Sequence, residues 1–201
     1  WADQNLSVFV TRVGGIATFP SFIAPPTTLH QAITLVIHEW VHHYLFFQPL
    51  GQNYWSSPEM TTLNESAADL ISHEIARLIE PKTSVTGTIK PTTQVNYNQI
   101  NVARILRQTR LKTERLLAES RIEEAESFME KQRHFLNANG VAIRKLNQAF
   151  FAFNGSYAMG PEATSPIGQQ LLIIRNKSNS ITEFLETIRQ VDSIEQFNQL
   201  T

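Results

Sequence analysis

Two histidines four residues apart, His38 and His42, constrain this chain most. They sit in the run His38-Glu39-Trp40-Val41-His42. On an α-helix, positions i and i+4 lie one above the other, so both imidazoles can reach one ion. Glu39, next to the first of them, is placed to hold a water at that ion without ligating it. The chain has no cysteine, so thiolate metal sites, thiol catalysis and disulfide scaffolds are all excluded. Any metal must be held by His, Asp or Glu.

A second run strengthens the reading. Asn64-Glu65-Ser66-Ala67-Ala68-Asp69 begins 22 positions after His42, in the next segment with helical character. Glu65 and Asp69 share a helix face, and the small Ala67 and Ala68 suit close helix approach. A helix returning antiparallel would bring Glu65 onto the metal, with Asp69 just behind. Two His and one carboxylate, with a fourth position left for water, is the ligand set of a catalytic zinc.

These flanking segments read as helices on local signals. Thr28 and Gln31 form a capping-box pattern, predicting a helix from about Leu29 to Phe47, which Pro49-Leu-Gly51 stops. Ser57-Pro58 opens the next, running to about Ile79 before Pro81. Upstream, Leu6 to Phe19 is rich in Val, Phe, Thr and Ile around Gly14-Gly15, predicting one or two strands. Pro20, Pro25 and Pro26 make a rigid connector. Residues 81 to 94 read as a loop or loose hairpin. From about Asn98 to Asn137 apolar residues recur at helical spacing, and after Asn139-Gly140 a second helix is predicted over Val141 to Phe153, the two forming a long helical hairpin. Ser165-Pro166 and Ser180-x-x-Glu183 open two further helices. The expected fold is therefore mainly α, of α+β type: one domain over 1–201, with strands and metal helices in 1–97, the hairpin in 98–158 and C-terminal helices in 159–201.

Charge narrows the partners. Lys plus Arg number 17 against 18 Asp plus Glu, leaving no basic excess for nucleic acid. Residues 13 to 38 carry no formal charge, yet Gly14, Gly15, Pro20, Pro25 and Pro26 interrupt them too often for a membrane span. Trp1 in place of methionine leads us to expect that a signal peptide or anchor has been removed, with an extracytoplasmic or membrane-anchored location. The hairpin holds 10 basic and 6 acidic residues between 101 and 145, interspersed as on a solvated face.

His-Glu-x-x-His followed by Asn-Glu-x-x-x-Asp resembles the gluzincin zinc metallopeptidases, the group of thermolysin-like enzymes and metallo-aminopeptidases. The likeness is of motifs, over roughly Ile33 to Glu74. It implies a zincin-like domain holding one Zn2+ through His38, His42 and Glu65, with Glu39 as general base, Asp69 supporting His38 and Asn64 supporting His42. It further implies peptide hydrolysis by a water that Glu39 activates at the zinc, and an edge strand upstream of the zinc helix that pairs with a peptide or protein substrate. Gly15, Ile16, Ala17, Thr18 and Phe19 occupy that place. The metzincin pattern needs a third His at position 48, which is Gln. Leu146-Asn-Gln-Ala-Phe150 and Asn154-Gly-Ser-Tyr157 also resemble segments of uncharacterised bacterial aminopeptidases.

Three groups of residues remain. Tyr157, following a glycine after a helix, is the candidate to stabilise the oxyanion, a core or surface tyrosine being the alternative reading. Glu59 and Glu74 are the acids available to bind a free amine. His43 reads as a packing or surface residue and His134 as exposed, while His73, four residues beyond Asp69, reads as an ordinary helix residue with an outer-sphere role as the alternative. The rival reading is a catalytically silent metal-binding domain that docks a partner through its helical hairpin.

Overall fold

The computed structural model describes residues 6–11, 13–25, 28–79, 100–155, 157–158, 160 and 163–201. The loop expected over 81–94 lies outside them. The protein is mainly helical with a small antiparallel sheet near the N-terminus. Strands β1 (Gly15–Ile16) and β2 (Phe22–Ile23) pair with Gly15 opposite Ile23 and Ile16 opposite Phe22. The helices are α1 (Leu29–Phe46), α2 (Pro49–Gln52), α3 (Pro58–Ile79), α4 (Val102–Ala118), α5 (Ile122–Ala138), α6 (Gln148–Asn154), α7 (Ile167–Lys177), α8 (Ile181–Ile188) and α9 (Ile194–Gln199). Among the described residues no helix is long and apolar enough to cross a membrane.

Cap residues start these helices where their side chains can take an orphan backbone N–H. Thr28 Oγ1 accepts from the Gln31 amide at 3.1 Å, and Ser180 Oγ accepts from Glu183 at 3.0 Å. The stop expected at Pro49-Leu-Gly51 is itself a one-turn helix, α2, folded back on the end of α1. A Cβ at Gly51 would overlap the Leu45 carbonyl, so only glycine allows that approach.

The chain forms two compact units. One comprises residues 1–11, 90–155 and 160–165. Here the helical stretch expected from about Asn98 to Asn137 breaks in the middle. The Arg121 amide donates to Leu116 O and the Ser120 amide to Leu117 O, with Ser120 at φ 59°. That left-handed cap ends α4, so the hairpin is α4 against α5. The helix expected over Val141 to Phe153 starts only at Gln148, because earlier backbone is tied down elsewhere. Asn137 exchanges two hydrogen bonds with the Ile143 backbone, and Asn147 caps Phe150. Leu106, Met129, Leu136, Leu146 and Phe151 form this unit's core.

The other unit comprises 12–89, 156–159 and 166–201. Helices α1 and α3 form its centre, with α7, α8 and α9 around Val41, Leu45, Leu63, Ile71, Leu171, Phe184 and Phe197. Ala67 and Ala68 are fully buried in the same core, where their size lets helices close. Arg175 of α7 makes a two-pronged ion pair with Glu74 of α3, at 2.8 and 2.5 Å. Glu74 is thus engaged by a guanidinium, whereas Glu59 lies exposed in the first turn of α3.

Candidate metal centre

His38 and His42 project from one face of α1, and Glu65 reaches them from α3. The two Nε2 atoms stand 3.0 Å apart, and Glu65 Oε2 lies 3.4 Å from His38 Nε2 and 3.6 Å from His42 Nε2. A tetrahedral ion with bonds of about 2.0–2.1 Å requires its ligand atoms about 3.3 Å apart. The triangle fits that requirement, and these three residues form a group able to hold a metal ion. Two imidazoles with one carboxylate suit a divalent transition-metal ion better than Mg2+ or Ca2+, which prefer oxygen.

The partners of these groups set their chemistry. Asn64 Nδ2 donates to the Leu50 carbonyl at 3.3 Å, which turns Asn64 Oδ1 towards His42 Nδ1 at 3.0 Å. His42 therefore carries its proton on Nδ1 and keeps its Nε2 lone pair for a metal. Burial disfavours charge on His42, but the hydrogen bond and charge of Glu65 outweigh it, so its pKa is raised. Burial alone would raise the Glu65 carboxyl; hydrogen bonds from His38, His42 and Tyr54 instead hold it well below the usual carboxylate range.

Tyr54 comes from the turn after α2, a position no sequence motif marked. Its hydroxyl donates to Glu65 Oε1 at 2.5 Å, leaving Oε2 for the histidines. Thr61 Oγ1 anchors the turn by donating to the Tyr54 carbonyl at 2.6 Å. The only available signal was an aromatic hydroxyl in the loop joining the two ligand helices. Tyr157 also stands at the cluster, its ring centroid 6.1 Å from that of His38. The Ala158 amide donates to Ser66 Oγ at 2.7 Å, which pins this segment beside Glu65. Burial first, then the charge of Glu65 and a hydrogen bond to it, and then the Asp69 charge, raise the Tyr157 hydroxyl pKa, so it keeps its proton across the working range.

Glu39, the next residue after His38, is 6% exposed. Burial raises its pKa, opposed by His38 and His42 and helped by Glu65. Gly15 lies against it: a Cβ at that position would overlap the Glu39 carboxylate. Ala24 N–H donates to Gly14 O, so the alternation of an antiparallel pair leaves the Gly15 backbone groups on the edge away from β2.

Other expected positions are placed differently. Of Gly15 to Phe19 only Gly15 and Ile16 are strand. Ala17, Thr18 and Phe19 turn instead, because the Thr18 amide bonds Ile16 O and its hydroxyl bonds Pro20 O. Asp69 carries its carboxylate to His73 Nε2, 3.4 Å away, rather than hydrogen bonding to His38. Those two residues are themselves i,i+4 neighbours, which makes the imidazole one turn along the nearer partner. His43 meets Ser21 Oγ at 2.7 Å, and exposed His134 pairs with Glu130. No protein-family model, curated protein or solved structure matches this chain.

Proposed function

We propose that the protein is a zinc-dependent peptidase of gluzincin type, which His38, His42 and Glu65 equip with one Zn2+. The observation that carries this reading is the triangle of 3.0, 3.4 and 3.6 Å with the buried Glu39 carboxylate adjoining it in sequence. A bound Zn2+ would act as a Lewis acid on a scissile carbonyl and acidify a water. Glu39 then takes the proton of the attacking water and delivers it to the departing amine. Tyr157 donates its hydroxyl to the oxygen on which negative charge develops. The free backbone edge of Gly15 pairs with the peptide main chain, and the glycine lets that chain pass close to Glu39.

Metal analysis and peptide cleavage test this together. Purified protein should carry about one zinc per chain, lost on His38→Ala, His42→Ala or Glu65→Ala. Glu39→Gln should keep the zinc and lose turnover by about 10²–10⁴-fold on a peptide library with free and blocked N-termini. Full metal occupancy in Glu65→Ala, or wild-type turnover in Glu39→Gln, would overturn the assignment. A zinc-loaded wild type that cleaves nothing across the library would favour the partner-docking alternative.

A further inference from the structure

Residues 6–11 form neither helix nor strand, yet from Ser7 to Val10 they are held by α6 and the loop before it. Phe9 sets its ring edge-on to Phe150, 5.3 Å between centroids, and 5.9 Å from Phe153. Phe150 and Phe153 stand three apart on α6, so one helix face carries both. Side chains take the carbonyls on either side of the Phe9 ring. Asn147 Nδ2 donates to Val8 O at 2.9 Å, and Arg144 Nη2 donates to Val10 O at 2.5 Å. Asn147 is already aimed for this, because its Oδ1 caps α6 by accepting from the Phe150 amide. The Ala149 amide donates to Ser7 Oγ at 3.2 Å. Val8 and Val10 are 42% and 68% exposed, so side chains alternate out, in, out as on an extended chain. None of these six residues belongs to the unit's core of Leu106, Met129, Leu136, Leu146 and Phe151.

We propose that the face built from Arg144, Asn147, Phe150 and Phe153 is a recognition site for extended peptides carrying a phenylalanine, with residues 6–11 as its resident occupant. The contacts are of the kind that peptide recognition uses: hydrogen bonds to main-chain groups give affinity, and a seat for one side chain gives selectivity. The two carbonyls that Asn147 and Arg144 meet belong to residues two apart. Such carbonyls share one edge of an extended chain whatever its side chains. The ring is the anchor that is read, and the outward-pointing valines contribute through their preference for extended backbone. Because the occupant belongs to the same chain, its effective concentration is of order millimolar. A free peptide at micromolar concentration is therefore excluded while the resident segment stays seated, and weakening that segment opens the site. The inference does not depend on the peptidase reading.

Fluorescence anisotropy tests it on the full chain, with a labelled peptide of residues 6–11 blocked at both ends. Phe9→Ala should bind this peptide about tenfold or more tightly than wild type does, with helix content unchanged. Phe9→Leu, which keeps an apolar anchor and guards against misfolding of the alanine variant, should show the same gain in smaller measure. Adding Arg144→Ala to Phe9→Ala should weaken the peptide about tenfold again. Replacing the peptide's own phenylalanine by alanine should remove most of its binding. No binding to either Phe9 variant, affinity equal to wild type in both, or binding that survives loss of the peptide's ring would overturn the proposal.

Discussion

Asn64 holds its amide oxygen 3.0 Å from Nδ1 of His42, from a position almost wholly buried in α3. The outer hydrogen bond of a ligating imidazole fixes its ring and tautomer, so Asn64→Ala should weaken zinc binding about 10- to 100-fold. Asp69→Asn should weaken it less, because Asp69 spends its carboxylate on His73. A competitive chelator titration of both variants decides the order; a larger loss in Asp69→Asn would reverse the roles.

Gly15→Ala tests the proposed role of Glu39 apart from metal binding. The added methyl would overlap the buried Glu39 side chain from its carboxylate back to Cγ. Stability should fall by about 1–3 kcal/mol, as for other overpacked sites, with zinc content unchanged. Turnover should fall by about a hundredfold, the effect of a reacting group displaced by about 1 Å. Wild-type turnover in Gly15→Ala would show that Glu39 needs no such seat.

The two tyrosines should fail in different ways. If Tyr157 serves the reacting oxygen as proposed, Tyr157→Phe should lower kcat about 10²–10³-fold with zinc retained. Tyr54→Phe frees Glu65 Oε1 and should show chiefly as lost zinc affinity, about tenfold or more. Measuring zinc affinity and kcat on each variant checks the split, and identical profiles would refute it.

Glu74 and Arg175 give a pH signature. Hydrogen bonds from Arg175 hold the Glu74 carboxyl below its ordinary value of 4.5. A carboxyl depressed in the folded state stabilises it above that ordinary value, and the contribution drains away as pH falls through the lower folded one. Glu74→Gln should cost about 1 kcal/mol at neutral pH, and the gap to wild type should narrow below pH 4.5. Thermal melts of both proteins at pH 7 and near pH 3 measure it; a gap that widens in acid would contradict the pairing.

What the residues revealed in advance followed the range of the interaction. The i,i+4 placement of His38 and His42, and the caps at Thr28 and Ser180, are set within one helical turn and were legible. The α4–α5 break was not, because Ser120 takes up a left-handed cap that glycine or asparagine usually advertises. Nor was the late start of α6, set by Asn137 reaching across to Ile143. Tyr54 escaped notice for a similar reason, since only the packing of α2 on α1 aims its hydroxyl at Glu65.

The bond from Ala158 to Ser66 spans 92 residues, whereas the three metal-reaching side chains sit on helices joined by a short connection. In folding terms the ligand set is a short-range assembly and the Tyr157 wall a long-range one. The chain must close a far larger loop, at greater entropic cost, before that wall exists. A nascent chain that has emerged only through α3 already holds every metal-reaching side chain. The three side chains able to hold an ion are thus made early in synthesis, and the segment that brings Tyr157 beside them is made much later.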